Sequence, residues 1–195
     1  MKIAARNSRR YAGCMMPAAP SDLSAIFLSF SREKLLAQYW PRLRSCVESL
    51  SDDQVWWRPN SASNSIGNLL LHLNGNVTQW LIASFLHIDD RRDRPSEFSR
   101  TEGSAGAALL DLLAATMARA DEVLRGLSEA DLKARLQIQG YDVTGLEAVY
   151  QVVEHFGLHY GQVAYITKLL RDTDLAFYRE LNATGHAPSS VSSRP

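Results

Sequence analysis

Cysteine is scarce: the 195 residues hold two, Cys14 and Cys46. Two thiols cannot make a disulfide framework, and one sits in an N-terminal tail while the other sits in a helical pattern. A reducing, cytoplasmic setting is the simpler expectation. An excess of charge is also missing, because 21 basic residues balance 21 acidic ones. That argues against nucleic acid or an anionic membrane surface as the main partner. No apolar run reaches the roughly 20 residues of a bilayer-crossing helix, and there is no internal repeat or low-complexity tract. What remains is a chain that is 46% hydrophobic, enough for one globular domain with a sizeable core. Its expected partner is a small-molecule substrate.

The ends carry little pattern. Ser8-Arg9-Arg10-Tyr11 and Ala12-Gly13-Cys14 echo export and lipoprotein signals, but the continuous apolar stretch such signals require is missing. Residues 1–20 are expected to be a disordered extension, with Met15 or Met16 as an alternative start. Residues 183–195, rich in Ser and Pro, are expected to be a disordered tail. The domain is therefore placed at 21–182.

Helical signals are dense between these ends. Asp22 is placed to cap a helix carrying Leu23, Ile26, Phe27 and Phe30, then Leu36, Trp40, Leu43, Val47 and Leu50. Pro41 falls inside this pattern and should kink or split it. Ser51-Asp52-Asp53-Gln54 reads as a capping box, and Trp56-Trp57-Arg58-Pro59-Asn60 breaks the helical run. A second helix is expected from Asn64 or Ser65 to Leu86. Its apolar residues cover most of its circumference, so it is buried on several sides. His87 to Pro95 is charged and ends on proline, a surface loop. A third helix runs from about Ser104 to Leu127, with Leu109, Leu112, Leu113, Thr116, Ala120, Val123, Leu124 and Leu127 inward. Ser128 to Asp131 resembles another cap. Gln137 to Val143 is extended around Gly140, a crossover or short hairpin-like loop. Thr144-Gly145-Leu146-Glu147 opens a last long helix to Leu170, and Asp172 to Leu181 is a short terminal segment. Four long helices with little strand make an all-α four-helix bundle.

Within that last helix, His155 and His159 stand four residues apart and so share one face. Ala148, Val152, Val163 and Ile166 lie on or beside that face, which marks it as buried. Gln151 and Gln162 extend it into a polar stripe. The second helix repeats the arrangement with Asn68, His72, Asn76 and Gln79, and Trp80 stands beside it as an apolar wall. Buried polar groups need partners. A metal ion held by His72, His155 and His159 would supply them, and so would a hydrogen-bond network. Three neutral imidazoles suit zinc, nickel, copper or iron and leave positions open for water or substrate. Arg58 is either an anion binder or an exposed guanidinium, Glu154 points about 100° away from His155, and Cys46 reads as a packed thiol.

Three segments, Trp56 to Asn60, Asn64 to Asn76 and His155-Phe156-Gly157-Leu158-His159-Tyr160-Gly161-Gln162, resemble in order and spacing the DinB/YfiT-like superfamily. The likeness spans roughly residues 22–171. It implies an up-down-down-up four-helix bundle, commonly dimeric, with one histidine of the second helix and two of the fourth on a divalent ion, typically nickel or zinc. In this sequence those are His72, His155 and His159. Relatives include thiol-dependent S-transferases, so the resemblance also implies a low-molecular-weight thiol cosubstrate.

Two classes of function stay open. One is a metal-dependent enzyme, a thiol-dependent S-transferase or related enzyme acting on small electrophiles through a metal-activated thiol or water. Asn68, Asn76, Gln79, Trp80, Gln151 and Gln162 would then bind substrate or orient the ligands. The other is a non-catalytic stress-response bundle in which the metal or the histidine network is structural. A second apolar stripe on the last helix, Val149, Val153, Tyr160 and Ala164, suggests a homodimer contact.

Overall fold

A computed structural model describes residues 22–179. The expected N-terminal extension, with Cys14, and the expected C-terminal tail lie outside the described residues.

The first helical run begins at Asp22, whose extended backbone lets its carboxylate accept the Ser24 N–H. It continues as α1 (Leu23–Arg32), a π-helical segment (Glu33–Tyr39) and α2 (Trp40–Glu48). Pro41 therefore does not split the helix. A wider turn precedes it, in which the Trp40 N–H reaches the Leu35 carbonyl, and this makes room for a ring that a tight α turn would crowd. Ser51 and Gln54 form the expected capping box of α3 (Asp52–Trp56). Ser65 and Asn68 form that of α4 (Ile66–Val77). The second long helix then passes through another π-helical segment (Thr78–Ala83) into α5 (Ser84–Leu86), and His87 stops it at φ 52°.

The charged segment that follows is the expected loop from Ile88 to Asp93, mostly exposed, and it then folds into α6 (Arg94–Ser99), on which Glu97 is buried. After α7 (Gly106–Gly126) and α8 (Glu129–Lys133), a two-stranded antiparallel hairpin joins β1 (Arg135–Ile138) to β2 (Tyr141–Thr144), with Ile138 opposite Tyr141. Gln139 and Gly140 both have positive φ, as a two-residue hairpin turn requires. Thr144 and Glu147 cap α9 (Gly145–Arg171).

Contacts set the directions of the four long helices. Trp56 lies against both Gly67 and Gly103, so the second and third helices start at the same end. The end of the first run meets the start of α7, where the Asp52 carboxylate accepts the Gly106 N–H at 2.8 Å. Tyr39 stacks on Tyr160, and Arg42 lies over Phe177 and Tyr178, so the first run and α9 are parallel. The order is up-down-down-up. One core joins all four helices through Leu35, Leu43, Leu70, Leu73, Leu113, Met117, Val152 and Phe156.

One packing expectation needs correcting. Leu112 is 46% exposed, and Leu110 and Met117 face inward instead. The Val149/Val153/Tyr160/Ala164 stripe makes contacts within its own bundle. Val149 is in the core, Tyr160 is covered by Tyr39 and Phe177, and Val153 and Ala164 pack on the same cluster. Leu158, Tyr165 and Leu169 are the exposed large apolar residues on the second half of α9.

Candidate metal centre

Helical register brings His155 and His159 together, because a spacing of four stacks their rings on one face of α9. The ring centroids are 4.4 Å apart and nearly perpendicular. His72 arrives from α4, with its ring centroid 4.9 Å from that of His155 and 5.0 Å from that of His159. One ring nitrogen from each of the three lies within 4.8 Å of the others. His72 is buried, and the other two are half-buried.

Hydrogen bonds decide which nitrogens face inward. His72 Nδ1 is 2.8 Å from Glu97 Oε2. A carboxylate only accepts, so Nδ1 carries the proton and Nε2 presents a lone pair. Arg92 Nη2 also lies 3.0 Å from Nδ1. Since both groups are donors, that guanidinium proton goes to Glu97 Oε2 at 2.9 Å. In the same way His159 Nδ1 donates to Gln162 Oε1 at 2.7 Å and leaves its own Nε2 bare. The two Nε2 atoms of His72 and His155 are 2.8 Å apart. Two facing lone pairs at that distance require a proton or a cation between them.

The electrostatics keep His155 and His159 neutral, the form that binds metal. Burial pushes His155 down to about 4, and His159, His72, Arg92 and Arg94 add to the effect. Burial also lowers His159, against an opposing pull from Gln162. Burial alone would push the Glu97 carboxyl up. Its hydrogen bonds from Arg92 and His72 outweigh this and hold it below the ordinary carboxylate range. The donor set, the tautomers of His72 and His159 and the neutral state of the α9 pair all fit a divalent cation.

The remaining stripe residues divide into three groups. Asn68 is fully buried, but it faces α6 rather than the triad. It caps α4, and its Nδ2 donates to the carbonyls of Glu97 and Arg100 at 2.9 Å each. Gln79 and Gln162 each hold one functional side chain. Gln79 accepts from Arg92 Nη1 at 2.9 Å and donates to Asp90, while Gln162 serves His159. Asn76, Trp80 and Gln151 leave Oδ1, Nε1 and Oε1 buried without a partner. Arg58 is partly exposed, and it bonds Asn68 Oδ1 at 2.8 Å and the carbonyls of Phe98 and Arg100. Glu154 is exposed. Cys46 is buried, and burial pushes its thiol up to about 11, so it is an inert packed group.

Sequence reasoning missed Arg92 and Glu97. Arg92 lies in the charged run that reads as solvated surface and Glu97 just beyond it, yet their side chains are only 4% and 8% exposed. One signal pointed to them: Gly75, a glycine in the middle of a buried helix, marks a close approach.

Beside the triad, a groove of about 590 Å³ runs between Trp57, Pro59, Leu69, Leu158, Gln162 and Tyr165. None of the described helices is long and apolar enough to cross a membrane.

Known structures share this architecture. A conserved protein of Enterococcus faecalis superposes with a TM-score of 0.63 at 18% identity, covering 74% of this chain and 97% of its own. A DinB-like protein of Bacillus subtilis gives 0.58 at 20% identity over 78% and 96%. One from Bacillus cereus gives 0.57 at 11% identity over 76% and 92%. No curated protein matches the sequence. The DinB superfamily family model matches residues 35–163, a span that holds all three histidines. With well over half of its length matched, and the same helical fold in those structures, this chain belongs to the DinB superfamily.

Proposed function

We propose that His72, His155 and His159 hold one divalent cation, zinc or nickel, and that the protein is a cytoplasmic S-transferase joining a low-molecular-weight thiol to a small electrophile. One observation carries this reading. Three ring nitrogens from two helices converge within 4.8 Å, and hydrogen bonds to Glu97 and Gln162 turn the lone pairs of His72 and His159 inward. A divalent cation there lowers the pKa of a bound thiol or water, supplying a nucleophile at neutral pH.

The chain's own residues do the rest. Asn76, Trp80 and Gln151 present buried polar atoms without partners. An unpartnered buried group costs roughly 1–3 kcal/mol, so these atoms are well suited to receive polar groups of a substrate. Along the second helix Asn76 and Trp80 follow His72 toward the hairpin, and along α9 Gln151 precedes His155 from the same end. The three therefore lie to one side of the triad. The apolar groove along Leu69 and Leu158 opens on the other side and suits an uncharged electrophile. Glu97 is committed to Arg92, and Glu154 faces solvent, so neither serves the centre as a general base. A thiol, which loses its proton readily at a metal, fits that setting better than hydrolysis does.

A second reading rests on the His72–His155 contact. A proton shared between those two nitrogens would satisfy both, and the histidines would then be structural. Elemental analysis and calorimetric titration of untagged protein with zinc and nickel decide between the two. The metal reading expects one ion per chain, loss of at least about tenfold in affinity for each of His72→Ala, His155→Ala and His159→Ala, and little change for His87→Ala. Wild-type protein that binds neither ion refutes it. A screen of thiols against electrophiles with the loaded protein then tests the transferase.

A further inference from the structure

Gly75 lies on α4 one turn beyond His72. A Cβ there would overlap Glu97 Oε1 and come within 2.7 Å of Arg92 Nε. Helix propensity disfavours glycine at such a position, but a carboxylate and a guanidinium occupy the space it leaves. The two side chains bond twice, Arg92 Nε to Oε1 at 2.6 Å and Nη2 to Oε2 at 2.9 Å. Their surroundings fix them from the same helix. Asn68 holds the Glu97 carbonyl, and Gln79 holds Arg92 Nη1. Oε2 is then 2.8 Å from His72 Nδ1, and Phe98, one residue beyond Glu97, lies against the His72 ring at a centroid distance of 4.7 Å.

We propose that Glu97 and Arg92 are a positioning pair for His72. Glu97 fixes the imidazole in the Nδ1–H tautomer with Nε2 aimed at the triad, and Arg92 fixes Glu97. Which ring nitrogen of a histidine is free to bind is set by the hydrogen bond the other nitrogen makes, and such outer partners typically change metal affinity by about 10- to 100-fold. A lone carboxylate in this place would turn about its own torsions. The two-toothed bond to Arg92 removes that freedom, and Gly75 provides the room for it. The metal consequence rests on the reading of the centre proposed above, whereas the tautomer consequence does not.

The test uses the full chain in two measurements. Nitrogen-15 spectra of the metal-free protein read the tautomer of each histidine. Competition titration with zinc and a chromophoric chelator reads affinity. The wild type should show His72 as the Nδ1–H tautomer. Glu97→Ala should mix the two tautomers and weaken zinc binding by about 10- to 100-fold. Glu97→Gln, whose amide oxygen still accepts from Nδ1–H, should keep the tautomer and recover part of the affinity. Gly75→Ala removes no polar group and raises helix propensity, yet it should disturb the His72 tautomer and weaken zinc by pushing the carboxylate aside. It also keeps the test open if Glu97→Ala does not fold. A role confined to stability would lower the melting temperature and leave the tautomer pure. An unmixed His72 tautomer in both Glu97→Ala and Gly75→Ala overturns the proposal. Wild-type protein that binds no zinc but shows the tautomer shift refutes the metal centre and sustains the positioning pair.

Discussion

The two sides of the histidine triad are built by different means. On α9, His155 and His159 meet because they are four residues apart, and the side chain that steadies His159, Gln162, is exposed and only three residues on. On α4, His72 is held by groups 20 and 25 residues further along the chain, Arg92 and Glu97, both buried. The first arrangement is local and follows wherever the helix forms. The second exists only once α6 has folded back on α4. A local device is cheap to keep and mild to lose, whereas a buried charged pair is severe to break.

The largest effect should come from breaking the non-local side. Glu97→Ala leaves the Arg92 guanidinium buried without its partner, and losing one member of a buried pair costs about 3–5 kcal/mol. In chelator the variant should melt roughly 10 °C below wild type, at the few degrees per kcal/mol typical of domains this size. Removing both charges with Arg92→Leu added should recover part of the loss, because no uncompensated charge remains. A single variant within 1 kcal/mol of wild type would show that the pair does not hold α6 to α4.

Acid separates the two sides by window. The His155 pKa lies at about 4, well below the ordinary histidine value near 6.5. Between those values the unfolded chain binds the proton and the folded one does not, so stability falls as pH drops from about 6.5 toward 4. His159, also lowered, adds in the same direction. Glu97 is held below the usual carboxylate range, so its contribution stays intact across that interval. It is lost only as pH falls below about 4. Urea midpoints of metal-free protein should therefore decline in two stages, and His155→Gln should make the upper one shallower and leave the lower one as it is. A midpoint that does not change between pH 7 and pH 5 would mean that the α9 histidines are hydrated rather than buried.

The same contrast explains what could be read from the sequence. The caps at Ser51, Ser65 and Thr144, the helical periods and the His155–His159 spacing are all local patterns, and the structure keeps them. Pro41 announced a disturbance, which takes the form of the π-helical turn before it. Arg92 and Glu97 have no periodic signature, and a charged run looks solvated until its partners are known. Asn68 fits the polar stripe by spacing, yet its amide is turned toward the α6 backbone. On α9, apolar residues occupy nearly every side. The wheel alone does not show that Tyr39 and Phe177 cover the Tyr160 side and leave Tyr165 bare.

The smallest effect should come from the local side, and it tests whether register alone suffices there. Gln162 accepts from His159 Nδ1 at 2.7 Å, a good distance, but Gln162 is exposed, so water replaces it when the side chain is cut back. A hydrogen bond with a ready solvent substitute contributes about 1 kcal/mol or less. Gln162→Ala should thus leave the melting temperature within a few degrees and weaken zinc binding by no more than roughly fivefold, against about 10- to 100-fold for Glu97→Ala. Gln162→Glu keeps an acceptor at the same reach and should stay near wild type. If Gln162→Ala instead matches Glu97→Ala, the exposed amide fixes His159 as firmly as the buried carboxylate fixes His72. The distinction between a local and a non-local side of the triad would then fall, because water would have failed to stand in for a side chain that it can freely reach.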